Sequence, residues 1–339
     1  MLLALVASFH THPLRVVERL SLAADDVARE LVADGSVRGA VTLSTCNRFE
    51  VYVDTDDADA ARHAVAAALA SRTSMPADQA SGTLEVLADG DAVSHVCAVA
   101  ASLESMVVGE QEISGQVRRA LRKAIDERTA TGVLIRTLEH ALRASREVAA
   151  KTGIGSSTRS VASVALDIAE RTTEFADARA VLVGTGQLAA GGVRALRARG
   201  SHLIGVFSPS GRARDFGELY GIEPLGLEQL PGALAEADII YACSGGEGVV
   251  LSAQQLAAAR SGTPWPLTVI DLALHRDLEP AAAELAGVTV VSLEDVRAHA
   301  PRENPVAYAR ALDIVADAAA ALTEDLRARA MLSPGTPTA

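Results

Sequence analysis

The chain has 339 residues, enough for two domains and an extension at roughly 100–200 residues per domain, and its 49% hydrophobic and 22% charged residues are those of an ordinary soluble globular protein. A formal net charge of −12 argues against a dedicated nucleic-acid-binding module and confines any such contact to a local basic patch. Three scattered cysteines exclude a disulfide framework, the lack of CxxC and HExxH motifs gives a metal site no support, and no apolar run reaches the ~20 residues of a membrane span, so a reducing cytoplasm is expected.

Residues 2–9 read as a first strand. No basic region precedes this apolar run and no cleavage site follows it, so it is not a signal peptide. A helical pattern follows over 13–34. Two apolar runs, 39–44 and 49–53, flank a polar knot, Ser44-Thr45-Cys46-Asn47-Arg48, which belongs at a strand end or tight loop. An alanine-rich helix over 57–71 and a short strand over 83–87 complete the order β-α-β-β-α-β, which suits a ferredoxin-like split βαβ unit. From Asp91 the pattern is helical: one helix runs to Gly109, and two more extend to Lys151. The segment 118–151 carries nine Lys/Arg against four Asp/Glu.

Beyond residue 156 short apolar runs alternate with helical stretches, the pattern of a parallel, doubly wound sheet. Strands are expected around 179–184, 202–208, 237–244, 249–252, 266–274 and 288–295. A last amphipathic helix carries apolar residues at 306, 312, 315, 319, 322 and 326, and the tail 333–339 is disordered by composition. The expected organisation is an α+β domain over 1–155, a Rossmann-type α/β domain over 156–296, and a C-terminal helix and tail over 297–339.

Val181-Leu182-Val183-Gly184-Thr185-Gly186-Gln187-Leu188-Ala189 follows a predicted strand and opens a predicted helix. In that setting Gly184 and Gly186 supply the tight turn and the close approach to a pyrophosphate, and the helix N-terminus supplies N–H groups. A glycine turn in a ligand-free α/β sheet would look the same. The second strand ends at Ser208 without the carboxylate that reads an NAD ribose, and Arg212 and Arg214 follow. Arginines suit a 2′-phosphate, so NADPH is the expected cofactor.

Cys46 stands two residues before Arg48, and a nearby cation raises the thiolate fraction. A lone cysteine is more often a small buried hydrophobe. The polar neighbours Thr45, Asn47, Arg48 and Glu50, which a core does not need, favour a nucleophile.

Ser44-Thr45-Cys46-Asn47-Arg48-Phe49-Glu50 closely resembles the signature of the glutamyl-tRNA reductases, which open the five-carbon route to tetrapyrroles such as porphyrins and haem. The segments around His10–Pro13, 91–121, 151–166, 181–189, 237–245 and 269–280 resemble further parts of that family, in order, over roughly residues 1–300. The resemblance implies an NADPH-dependent oxidoreductase that converts glutamyl-tRNA into glutamate-1-semialdehyde. A cysteine attacks the ester, tRNA leaves, and hydride reduces the thioester. By position Cys46 is the implied nucleophile and His95 the acid/base or carbonyl-polarising group. Thr45, Asn47, Arg48, Ser105, Glu110, Glu112 and Gln116 fall at substrate-binding positions. Gly184, Thr185, Gly186, Gln187, Leu188, Ala189, Ser208, Arg212, Arg214 and Ser244 fall at cofactor-binding positions.

Three departures from the family pattern stand out. Glu112 replaces a substrate-contacting glutamine. Ser208-Pro209-Ser210 lacks the arginine that usually follows the second strand, which shifts 2′-phosphate recognition to Ser208, Arg212 or Arg214. Only about thirty helical residues follow Pro305, so most of the family's dimerisation region is expected to be missing, and a homodimer would have to pair through the apolar stripe of that last helix. The implied partners are glutamyl-tRNA, contacted along 118–151, and a glutamate-1-semialdehyde aminomutase that receives the product; no membrane partner is expected. Two other readings fit the same scaffold: a small-molecule acyl-thioester oxidoreductase using NADPH, and a non-catalytic glutamyl-tRNA-binding protein.

Overall fold

The computed structural model describes the chain except residues 22, 46, 74, 111, 156–159, 246–247, 264, 301–303 and 333–339. It divides into two compact units: residues 1–157 with 302–339, and residues 158–301.

The first unit is built on a four-stranded antiparallel sheet. Its strands are β1 (Leu2–Ser8), β2 (Gly39–Ser44), β3 (Arg48–Asp54) and β4 (Glu85–Ala88), in the order β2-β3-β1-β4. Helices α1 (Leu14–Ser21) and α2 (Val27–Ala33) connect β1 to β2. Helices α3 (Ala58–Thr73) and α4 (Ala77–Thr83) connect β3 to β4. The observed order is therefore β-α-β-β-α-β.

Successive strand residues face opposite sides, and β1 is apolar on both. Leu3, Leu5 and Ala7 pack in one core with Leu20, Leu31 and Leu69. Leu2, Ala4 and Val6 pack in a second core with α5 (Asp89–Ala100), α7 (Gly132–Thr152) and α14 (Pro305–Leu332). The remaining helix of this unit, α6 (Glu112–Asp126), packs on β2 through Ile113, Val117 and Leu121.

The structure departs from the sequence reading in several places. The helical stretch 13–34 is two helices. The helix expected to reach Gly109 ends at Ala100, because Ser102 adopts a left-handed φ of 63° and donates its hydroxyl to the Glu110 carbonyl at 2.5 Å, folding 101–110 into turns. Gly109 completes this turn with φ 81°; a Cβ there would lie 2.8 Å from the Gly155 backbone nitrogen. The apolar stripe of α14 is not free to pair with a second copy through its centre: Val315, Ala319 and Leu322, with Ala311, are buried within the unit against α5 and α7. Of the six stripe positions, Val306 and Leu312 are exposed.

The second unit opens with α8 (Val161–Ala169), whose Ser160 and Ser163 form a reciprocal capping box. A six-stranded, all-parallel sheet follows: β5 (Arg179–Val183), β6 (Leu203–Phe207), β7 (Glu223–Pro224), β8 (Ile239–Ala242), β9 (Leu267–Asp271) and β10 (Val288–Ser292). Their order is β10-β9-β8-β5-β6-β7, so the chain reverses direction across the sheet at β5. The intervening helices are α9 (Gln187–Ala198), α10 (Ala213–Tyr220), α11 (Leu230–Glu236) and α12 (Ala253–Ala259), with α13 (Leu293–His299) after β10. This is the doubly wound α/β architecture that the alternation of strands and helices implies. The stretch 249–252 is not a strand; Leu251 makes a single parallel bridge to Leu278. The two-residue edge strand β7 carries no apolar run and is invisible in the sequence.

Candidate active site

The polar knot is the turn between β2 and β3. The Thr45 N–H donates to the Arg48 carbonyl at 2.9 Å, the Thr45 hydroxyl donates to Asn47 Oδ1 at 2.9 Å, and the Asn47 carbonyl accepts from the Phe9 N–H at 3.0 Å. Thr45 and Asn47 are buried. Cys46, the expected nucleophile, lies outside the described residues. Cys97 is buried in the core, and burial pushes its thiol up to about 12, leaving it essentially without thiolate at neutral pH.

Alternation along β3 then builds a charged cluster. Phe49, Val51 and Val53 enter the core with α1–α3, so Arg48, Glu50 and Tyr52 all face α5. Arg48 and Glu50 are completely buried, with side-chain exposures of 0%. Glu50 accepts hydrogen bonds from Arg48 Nη1, from the Tyr52 hydroxyl at 2.6 Å and from His95 Nε2 at 3.0 Å. Arg48 Nη2 donates to the Glu104 carbonyl, which also accepts from His10 Nε2 at 3.2 Å.

Burial alone would push the Glu50 carboxyl up, but the charges of His95 and Arg48 outweigh it and hold the group at about 2. Burial likewise pushes the His95 imidazole down, and Glu50 outweighs that too, so His95 is raised above its ordinary value. The buried cluster thus favours an imidazolium whose Nε2 is tied to Glu50. Its Nδ1 lies 3.9 Å from Glu104 Oε2. His95 and Glu104 line a cavity of 780 Å³, together with Ser8, His10, Asp91 and Tyr308 of α14.

The expected substrate residue Arg48 and the expected acid/base His95 are thus joined through Glu50, which the sequence reading noted only as a polar neighbour. Arg48 reaches no solvent, so it acts on its surroundings through Glu50 and the Glu104 carbonyl. Ser105 and Glu110 are buried in the 101–110 turn. Gln116 lies apart from His95, on a 290 Å³ cavity with Thr42, Ser44 and Arg119. Glu112 begins α6 and lines neither cavity. Tyr52 and Glu104 were missed. For Tyr52 the signal was present: residues 48, 50 and 52 share one strand face.

In the second unit, the carboxyl ends of β5, β6 and β8 border a cavity of 1210 Å³. Gly184, Thr185, Ser208, Arg212, Arg214 and Ser244 line it. Gly184 has φ 117°, and a Cβ there would lie 2.7 Å from the Cys243 carbonyl oxygen, so the turn demands glycine. Gly186 precedes α9 as its N-cap, and a Cβ there would meet only open space. Thr185 Oγ1 is buried without a hydrogen-bond partner. A helix N-terminus, an approachable glycine and an orphaned hydroxyl fit a dinucleotide phosphate. Gln187 opens α9; Leu188 is half-buried and Ala189 fully buried against the sheet.

Ser208 Oγ lies 3.0 Å from Ser210 Oγ, which accepts from Arg212 Nε at 2.9 Å. The Ser244 N–H donates to Asp277 Oδ2 at 2.6 Å and its hydroxyl bonds Asp277 Oδ1. Asp277 is buried, and burial raises its carboxyl. Nearby Asp271 is pushed up to about 6, also by burial, while accepting backbone N–H groups from Ala273 and Leu278.

Comparison with known proteins agrees with both halves. Residues 5–152 match the family described as glutamyl-tRNAGlu reductase, N-terminal domain, and residues 167–299 match shikimate / quinate 5-dehydrogenase. A glutamyl-tRNA reductase from Micrococcus luteus is 43% identical over 93% of this chain and 73% of its own length. One from Kocuria rhizophila is 41% identical over 97% of this chain and 76% of its own. The chain belongs to the glutamyl-tRNA reductase family. Among solved structures, the glutamyl-tRNA reductase from Methanopyrus kandleri is 25% identical over 96% of this chain and 80% of its own, with a TM-score of 0.47. No helix among the described residues is long and apolar enough to cross a membrane.

Proposed function

We propose that this protein reduces glutamyl-tRNA to glutamate-1-semialdehyde with release of tRNA, the first step of the five-carbon route to tetrapyrroles. The observation that carries this is the family relationship over nearly the whole chain, coinciding with the turn Thr45–Arg48 and the buried Arg48–Glu50–His95 cluster behind it. Residues 1–155 form the thiol domain, a ferredoxin-like unit backed by α14 as a spinal helix, and residues 156–296 bind the cofactor.

Cys46 acts as the nucleophile. Its thiolate attacks the ester carbonyl, and the terminal ribose oxygen of tRNA departs with a proton. His95, held as imidazolium by Glu50, presents Nδ1–H to the cavity, where it polarises the carbonyl and supplies that proton. Glu50 fixes the ring through Nε2 and neutralises Arg48.

NADPH, when bound, supplies the hydride that converts the thioester to the aldehyde. Gly184, Gly186 and the α9 N-terminus take its pyrophosphate. Arg212 and Arg214 take the 2′-phosphate, although Asp215 lines the same cavity. Exposed Arg118, Arg122, Arg136 and Arg143 on α6 and α7 offer the acidic chain a local surface for tRNA.

Incubation with glutamyl-tRNA and NADPH tests the reading. Semialdehyde should form, and Cys46→Ser should abolish it while tRNA binding persists. Full activity in Cys46→Ser would overturn the mechanism.

A further inference from the structure

Arg48 has no free face, so the His95 cavity owes its character to other groups. Three carboxylates line it, Glu85, Asp91 and Glu104, against two imidazoles, His10 and His95. A cation is the favoured guest of such a cavity.

Glu104 stands apart from the other two carboxylates. Its backbone is fixed, because its carbonyl accepts from both Arg48 and His10. Its side chain remains 36% exposed, and Oε2 lies 3.9 Å from His95 Nδ1. The His95 side chain is itself nine-tenths buried and its Nε2 is bonded to Glu50, so Nδ1, beside Glu104, is the imidazole nitrogen left for a guest in the cavity that both residues line. In an aminoacyl ester the carbon bearing the α-ammonium is bonded directly to the reacting carbonyl. If His95 polarises that carbonyl, the ammonium falls within reach of the adjacent carboxylate.

We propose that Glu104 recognises the α-ammonium of the aminoacyl ester, so that the enzyme selects a free amine over an acylated one. This deepens the reductase reading and rests on it. Glu104 positions the ester and takes no proton from it. The charge-assisted N–H···O⁻ bond also turns the carbonyl toward His95. Glu112, which lines neither cavity, is not part of this contact.

The test compares glutamyl-tRNA with N-acetylglutamyl-tRNA, which keeps the ester, the γ-carboxylate and the tRNA but loses the positive charge. The wild type should reduce the free-amine substrate with the higher kcat/KM. Glu104→Gln should lower kcat/KM for glutamyl-tRNA about tenfold to a hundredfold, the range expected for a hydrogen bond to a charged group. It should leave N-acetylglutamyl-tRNA unaffected, so the preference collapses. Glu104→Asp, which keeps the charge on a shorter arm, should restore part of the preference. Equal losses on both substrates would reveal a structural role and overturn the proposal, as would a preference that survives in Glu104→Gln. A wild type that reduces neither substrate would instead overturn the reductase reading itself.

Discussion

The two cavities are prepared for their guests in opposite ways. Around His95 the shaping groups are charged side chains tied to one another: the fully buried Glu50 accepts from Arg48, Tyr52 and His95, and of the Arg48 guanidinium Nε is left without a partner. At the β5–α9 turn the shaping group is the backbone, and Thr185 Oγ1 has no partner. Buried charges fix the orientation and protonation of a reacting group, which acyl chemistry needs. Backbone N–H groups and glycines leave room for a phosphate to approach, which cofactor exchange needs. The first kind of site is sensitive to charge removal, the second to added bulk.

Substituting Glu50→Gln attacks the first kind directly. It strands the fully buried Arg48 without its counter-ion and should cost about 3–5 kcal/mol, read as a lower urea midpoint. A near-normal midpoint would mean that Arg48 is neutralised elsewhere. The pH dependence carries the same signature. Because the folded pKa of Glu50 is depressed to about 2, its stabilisation is present above the ordinary carboxylate value and is lost as pH falls through about 2. His95, raised in the fold, adds stability that is complete below its unfolded value and disappears as pH rises through the folded one. Glu50→Gln should flatten both limbs.

A smaller effect is expected where only the backbone matters. Gly184→Ala places a Cβ against Cys243 and forces an L-residue to φ 117°, at about 1–3 kcal/mol of strain. NADPH titration followed by fluorescence should show weakened binding, with Cys46-dependent release of tRNA unchanged. Smallest of all, Arg212→Ala combined with Arg214→Ala should lower kcat/KM for NADPH about tenfold and leave NADH unaffected. Equal losses on both cofactors would assign the ribose end to other residues, Asp215 first.

Much of the scaffold was legible because it rests on periodicity. The all-apolar run of β1 follows from its position between two cores, and the Gly184–Ala189 loop sits between a strand and a helix as the sequence implies. The end of α5 was not legible. Nothing in Ala101-Ser102-Leu103-Glu104 breaks a helical pattern, and the break comes from a left-handed serine stabilised by Glu110, eight residues away. Glu104 was hidden for the same reason, since an acid in a helical run reads as solvated surface. Arg48 was legible as a charged residue near Cys46, but its complete burial depends on Glu50 and His95, and only the alternation of β3 together with the path of α5 brings those three together.

The first unit is written in two pieces, with residues 158–301 inserted between them. Helix α14 contributes Val315, Ala319 and Leu322 to the core that contains Leu2 and Val6, and Tyr308 to the wall of the His95 cavity. During synthesis from the N-terminus the nucleotide unit emerges whole and can fold as a contiguous segment. The first unit must wait with one core uncovered until α14 is made. The residues around His95 therefore reach their final setting only after the β5–α9 turn exists, which, with the roles proposed for the two cavities, orders biogenesis in the reverse of the catalytic sequence.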